Sequence, residues 1–311
     1  MTQLAYLLPG QGAQAVGMGR AFYDQFEEAK AVYQTANRKL GFDVAALCFE
    51  GPAEELTRTE KCQPALFVTS MAAFATFKRA MPTSVRPVAV AGLSLGELTA
   101  LAVAEAMSLE DALYIVQARG EAMAECAARH PGAMLAVVGL TREQVEPICR
   151  QSGAWGANFN AADQIVLSGA VEAIAQAAVL AKAAGAKRAV TLEVAGAFHS
   201  PLMRPASEAC KSVLAKARFR APAVPVISNV TGRPVGHPEE IRQLLATQIV
   251  SPVLWELSMR YIIGAGATHF IEFAPARILT ALLRRIDPAM TGLTLDEPKD
   301  LEKIQQVITQ I

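Results

Sequence analysis

Gly92-Leu93-Ser94-Leu95-Gly96 lies between the apolar run Val88-Ala89-Val90-Ala91 and a helical stretch over residues 97–107. A serine in that setting is turned out of the edge of a sheet on a tight strand-to-helix turn. Glycines two places to either side leave room for the backbone. The helix behind it aims unpaired N–H groups, and the positive end of its dipole, at the place where an oxyanion would form. This reading makes Ser94 a nucleophile. The plainer alternative is a turn in which its hydroxyl only caps the helix. A buried-type strand running straight into a helix also argues for an α/β chain.

Toward the N-terminus, Leu4–Leu8 is a short apolar run, read as a buried strand, and Pro9-Gly10-Gln11-Gly12 breaks it. Residues 10–15 superficially match a dinucleotide fingerprint. The helix over 21–40 is not followed by a strand ending in an acidic residue, and a G-K-[ST] phosphate loop is missing. The turn then either brings N–H groups and Gln11 to the mouth of the sheet beside Ser94 or is purely structural. Pro64 suits the first turn of a helix over 65–80, whose Leu66, Phe67, Met71, Phe74 and Phe77 form a core face. Ser108-Leu109-Glu110-Asp111 opens another helix with a near capping box. There Leu109, Ala112, Val116, Arg119 and Met123 share one stripe, so Arg119 faces inward. A buried guanidinium needs an anionic partner, either a structural carboxylate or one on a substrate.

Toward the C-terminus the pattern changes. Residues 133–138 read as strand, 142–151 as helix, 155–158 and 164–168 as strands, 171–185 as helix and 188–194 as strand. That βαββαβ order is the ferredoxin-like unit. It predicts a small domain over 132–194 inserted into a larger one made of 1–131 and 195–311. The chain has four histidines. His130 and His237 each precede a proline in loops, and His269 begins the apolar strand His269–Phe273. His199, in Ala197-Phe198-His199-Ser200-Pro201, sits between a strand end and a helix over 203–217, where active-site loops are found. It is the candidate general base, against the alternative of a helix-capping surface histidine. Residues 224–228 read as strand, 241–248 and 253–264 as helices, and Ala274-Pro275-Ala276 leads from His269–Phe273 into a helix over 278–286.

At 311 residues and 52% hydrophobic content the chain can bury a large core. Lys+Arg and Asp+Glu are equal at 29 each, which gives no support to binding nucleic acid or a membrane surface. No uninterrupted apolar run reaches the roughly eighteen residues of a membrane span, and no export signal marks the N-terminus. Five cysteines, odd in number and without a C-x-x-C pair, read as reduced thiols in a cytoplasmic protein. None stands beside a histidine, which argues against a cysteine nucleophile or a zinc site.

These pieces together resemble the malonyl-CoA:acyl carrier protein transacylases and the acyltransferase domains of polyketide synthases. The likeness spans nearly the whole chain: Gly10-Gln11-Gly12, Gln63-Pro64-Ala65-Leu66, Gly92 to Glu97, Arg119-Gly120, Gly132-Ala133-Met134, Phe198-His199-Ser200, Gln248, and the segment from Glu272 to Leu279. The resemblance implies an α/β-hydrolase-like large domain with an inserted ferredoxin-like small domain. It implies Ser94 as nucleophile, His199 as base, and the Gln248 backbone carbonyl as the group that orients His199. Backbone N–H groups of Gln11 and Leu95 would form the oxyanion hole, and Arg119 would hold a malonyl carboxylate. Phe198 would favour malonyl over methylmalonyl. The partners implied are malonyl-CoA and an acidic acyl carrier protein, with no metal or redox cofactor. Two positions depart from the family pattern. Leu93 stands where a histidine is usual, and Phe273-Ala274-Pro275-Ala276-Arg277 replaces a Gly-Pro-Gly form. A hydrolase of acylated carrier proteins using the same Ser94 and His199 is the second reading, and a non-catalytic carrier-docking module the third.

Overall fold

A computed structural model gives the fold and describes residues 3–275 and 277–310. Ala276, part of the Ala274-Pro275-Ala276 stretch singled out in the sequence, lies outside the described residues. β1 (Leu4–Leu8) is followed by α1 (Arg20–Gln25), α2 (Glu27–Leu40), α3 (Val44–Glu50), α4 (Ala53–Thr57) and α5 (Thr59–Ala80), then by β2 (Ala89–Gly92), α6 (Leu95–Val103) and α7 (Leu109–Arg129). Next come β3 (Gly132–Val138), α8 (Arg142–Ser152), β4 (Trp155–Ala161), β5 (Gln164–Ala170), α9 (Val171–Ala183) and β6 (Arg188–Thr191). After a 3-10 turn (Pro201–Met203) follow α10 (Arg204–Lys216), β7 (Val226–Ile227), β8 (Pro234–Val235), α11 (Pro238–Gln248) and α12 (Trp255–Gly264). The last elements are β9 (His269–Phe273), α13 (Leu279–Ile286), β10 (Thr291–Leu295) and α14 (Asp300–Ile308).

One sheet runs β10-β9-β1-β2-β7-β8 and is parallel except for the β7–β8 pair. The central β1 is buried along its whole length, Leu-Ala-Tyr-Leu-Leu with no alternation, as a strand covered on both faces requires. Leu4, Tyr6 and Leu8 join the core formed with α5 and α7, while Ala5 and Leu7 join a second core with Trp255, Met259 and Phe270. The strand order turns at β1, whose neighbours are β2 on one side and β9 on the other. The carboxyl ends of β1 and β2 therefore open into the crevice where α/β sheets bind ligands. Pro9-Gly10-Gln11 leaves one of those ends and Gly92-Leu93-Ser94 the other.

A four-stranded antiparallel sheet, ordered β4-β5-β3-β6, lies within 132–191. Its alternation divides two environments. Leu135, Val137, Ile165 and Leu167 pack under α8 and α9, whereas Met134 and Val166 face the opposite way and join the main core. The smaller sheet is tied to the segment before α12 where the Phe159 N–H donates to the Val253 carbonyl (2.9 Å) and the Val253 N–H to the Ala157 carbonyl (2.8 Å). Arg285 on α13 adds a two-pronged ion pair to Asp163 in the β4–β5 turn, with both contacts at 2.7 Å.

Some elements differ from their sequence reading. Residues 21–40 are two helices, broken at Phe26, whose extended backbone lets its side chain pack against the main core. The helix expected to start at Pro64 starts at Thr59 and carries Pro64 inside it. Proline forfeits one helical hydrogen bond there. The turn before it is anchored by the Arg58 carbonyl, which accepts from both Lys61 and Cys62, and the ring is buried in the core. α3, α4, β8, β10 and α14 left no reading in the sequence. Among the described residues no helix is long and apolar enough to cross a membrane.

Candidate active site

The turn between β2 and α6 is as tight as its glycines suggested. A Cβ on Gly92 would overlap the Gly96 backbone, and a Cβ on Gly96 would overlap the Leu8 carbonyl. Ser94 is left at φ 55°, ψ −105°, a conformation non-glycine residues rarely hold unless their surroundings impose it. Its side chain makes no capping bond to α6. Instead Oγ lies 2.8 Å from His199 Nε2. His199 Nδ1 lies 2.9 Å from the Gln248 backbone carbonyl. A carbonyl only accepts, so Nδ1 carries the proton and Nε2 is left bare to accept from the Ser94 hydroxyl. His199 is 4% exposed, which removes the surface-cap alternative, and Ser200 caps the following turn by accepting from the Leu202 N–H. Burial, with the positive charge of Arg119 adding to it, pushes the imidazole down to about 4.

Arg119 reaches the same point from α7 and is 4% exposed. Its Nη1 donates to Gln63 Oε1 (2.7 Å), and its Nη2 to Gln248 Oε1 (3.0 Å) and Ser94 Oγ (3.1 Å). Among the described residues no carboxylate lies within ion-pair distance of it. The structural-carboxylate alternative is thereby replaced by two neutral amide oxygens. Burial pulls the guanidinium down to about 10, and it stays charged at neutral pH.

The Ser94 N–H donates to Asn229 Oδ1 (2.6 Å), while Asn229 Nδ2 donates to the Gly92 carbonyl (2.7 Å), so one buried amide pins both sides of the turn. The Asn229 N–H in turn donates to Glu97 Oε2 (3.1 Å), and Gln248 Nε2 donates to the same oxygen (2.6 Å). Burial raises the Glu97 carboxyl to about 7 against the lowering effect of these donors. Sequence reasoning missed Glu97, Asn229 and the side chain of Gln248 as parts of this site. The one local signal was an asparagine just beyond a strand end, which is common in ordinary turns.

The cleft over Ser94 has a volume of about 200 Å³ and is lined by Gln11, Leu95, Arg119, Phe198 and His199, with Met134 and Val166 from the smaller sheet. Among the described residues neither the Gln11 nor the Leu95 backbone N–H is paired with a backbone or side-chain acceptor. Leu93 lines the cleft beside Ser94 and packs against the second core. Phe198 is buried and part of the main core. Chemically the arrangement suits nucleophilic acyl chemistry: a hydroxyl activated by a neutral imidazole, next to free N–H groups and a buried cation. Among the described residues no group of His, Cys, Asp and Glu converges as a metal site would.

The acyl transferase domain family matches residues 5–289. The malonyl CoA-acyl carrier protein transacylase of Bacillus subtilis is 39% identical over 100% of this chain and 98% of its own length. The polyketide biosynthesis protein ThaF of Burkholderia thailandensis is 41% identical over 93% of this chain, a match that takes in 24% of that longer protein. Among solved structures, the malonyl CoA-acyl carrier protein transacylase of Coxiella burnetii superposes with a TM-score of 0.96 at 35% identity, covering 99% of this chain and 98% of the other.

Proposed function

The chain belongs to the acyl transferase domain family, and from that premise we propose that it moves malonyl from coenzyme A to the phosphopantetheine thiol of an acyl carrier protein, in fatty acid or polyketide synthesis. One observation carries the choice of acyl group. A buried guanidinium held only by neutral oxygens stands 3.1 Å from the hydroxyl that would bear the acyl chain. A free carboxylate on that chain supplies the charge the site lacks.

His199 Nε2 takes the Ser94 proton as Oγ bonds to the thioester carbonyl, and the oxyanion gathers on the N–H groups of Gln11 and Leu95. The carbon–sulfur bond then breaks, and the coenzyme A thiolate leaves with the proton from His199. The carrier thiol repeats these steps in reverse order, giving its proton to His199 and restoring the Ser94 hydroxyl. Gln248 orients His199 through its backbone carbonyl, and Phe198 narrows the cleft beside the α-carbon. On this reading the six-stranded sheet belongs to an α/β-hydrolase-like large domain, 1–131 with 195–311, and the four-stranded sheet to a ferredoxin-like insert, 132–194, that roofs the acyl cleft. The reading carries a cytoplasmic location with it.

Intact-mass measurement tests the proposal. The protein mixed with malonyl-CoA should gain one malonyl group, and added holo carrier protein should remove it and gain it in turn. An adduct lost to water without appearing on the carrier would point to a hydrolase, and no adduct at all would refute the acyl-serine.

A further inference from the structure

The Gln248 side chain lies between one cation and two acceptors. Its Nε2 donates to Glu97 Oε2 at 2.6 Å and to the Ser94 carbonyl at 3.0 Å, while its Oε1 accepts from Arg119 Nη2 at 3.0 Å. Turned over, the amide would set donor against donor at Arg119 and acceptor against acceptors at Glu97 and Ser94. Of the three groups that fix the observed orientation, Glu97 makes the shortest contact. Glu97 is itself immobile: it is 2% exposed in the first turn of α6, and Oε2 also accepts from the Asn229 N–H at 3.1 Å.

We propose that Glu97 is a positioning residue for substrates that carry a carboxylate: it locks the Gln248 amide, and that amide aims the fork of Arg119. The proposal rests on the reading of Arg119 as the malonyl anchor. The fork has two neutral supports, Gln63 Oε1 on Nη1 and Gln248 Oε1 on Nη2. With the second support turned away, the guanidinium is free to pivot about Gln63. Acyl groups without a carboxylate make no ion pair with the fork, so the change should cost them less than it costs malonyl. What Glu97 supplies is an acceptor oxygen, which a glutamine at the same place retains.

The test measures kcat/KM for malonyl-CoA and acetyl-CoA on the wild type, Glu97→Met, Glu97→Gln, Gln248→Met, the Glu97→Met/Gln248→Met pair and Arg119→Ala. Glu97→Met should lower malonyl transfer about tenfold or more and acetyl transfer by less than about threefold, the range expected for one buried charge-assisted hydrogen bond. Glu97→Gln should keep the wild-type preference. Gln248→Met should lose that preference by the same order, and the pair should lose no more than either single change, because both act through one contact. Equal losses on both acyl groups, a Glu97→Gln variant as impaired as Glu97→Met, or additive losses in the pair would overturn the proposal. If Glu97→Met is not recovered folded, Gln248→Met and Glu97→Gln decide the matter. Arg119→Ala separates the two levels. Should the wild type show no preference for malonyl, or Arg119→Ala retain it, the anchor reading falls. Should that reading hold while Glu97→Met keeps the preference, the Glu97 proposal alone falls.

Discussion

Lowering the pH should leave acylation almost untouched until well below the range where histidine ordinarily titrates. Burial, helped by the charge of Arg119, moves His199 from its usual 6.5 to about 4. At pH 5.5 an imidazole at about 4 is roughly 97% neutral, whereas one at 6.5 is only about 9% neutral, a difference of about tenfold in competent base. The pH dependence of kcat/KM reports the free enzyme, which is the state described. Glu97, at about 7, also takes up a proton in this range but keeps an acceptor oxygen for Gln248, so it should add no limb of its own. The assay is the second-order rate of acyl-enzyme formation from pH 4.5 to 8 at constant ionic strength, followed by rapid quench and intact mass. Between pH 8 and 5.5 the rate should change less than about twofold. In Arg119→Ala, followed with acetyl-CoA, the limb should move upward, because the second cause of the depression is gone. A wild-type limb near 6.5, or one that Arg119→Ala leaves in place, would refute the account of His199.

Ser94→Ala should abolish the malonyl adduct with the fold intact, read by intact mass and circular dichroism; an alanine variant that still gains malonyl would place the nucleophile elsewhere. Arg119→Ala should depress malonyl transfer and relieve the penalty on acetyl, compared as kcat/KM for the two thioesters, since the unmatched guanidinium is what disfavours the neutral acyl group. Stability against pH offers a check that needs no substrate. His199, lowered from 6.5 to about 4, binds more protons unfolded than folded, so its contribution rises with pH through that window. Glu97, raised from 4.5 to about 7, binds more protons folded, so its contribution falls with pH through nearly the same window. The two should cancel in the wild type, and Glu97→Gln should gain about 2 kcal/mol relative to it between pH 4.5 and 6.5 in urea melts. A Glu97→Gln curve parallel to the wild type would mean that Glu97 is not protonated in the folded state there.

The parts of the site that sequence could reveal are those whose local pattern is dictated by local sterics. Glycines at 92 and 96 are required by backbone that passes too close for a Cβ, so their spacing announces the turn whatever the rest of the chain does. Arg119 shows itself because helical periodicity sets it among Ala112, Val116 and Met123, all buried. His199 emerged by elimination among few histidines. Glu97 and Asn229 gave no such sign. A glutamate in the first turn of a helix ordinarily reads as a solvated charge facing the dipole. It is buried here because a segment 132 residues away folds over it and donates to it. Pro64 misled for the same reason, since the propensity that puts proline in a first turn was overridden by contacts of the turn before it. The central strand and the smaller sheet were legible because short apolar runs bounded by turn residues read as strands, and the βαββαβ order groups the later ones into one unit.

The neutral partner of His199 follows from the presence of Arg119. A carboxylate at Nδ1 would raise the basicity of the imidazole, and many serine nucleophiles use one. In this site the orienting residue also touches the cation: the Gln248 carbonyl lies 2.9 Å from Nδ1, and its side-chain oxygen lies 3.0 Å from Arg119 Nη2. A carboxylate placed there would pair with the guanidinium and fill the position proposed above for a malonyl carboxylate. Drawing the orienting oxygen from backbone keeps His199 in its tautomer without adding a negative charge beside Arg119. The nearest acid, Glu97, is set one residue further back, behind the Gln248 amide, and burial holds it toward its neutral form. The site therefore gives up basicity at His199 to keep Arg119 unsatisfied. That exchange favours substrates able to neutralise Arg119 on binding, because such a substrate also removes one of the two influences that depress the base.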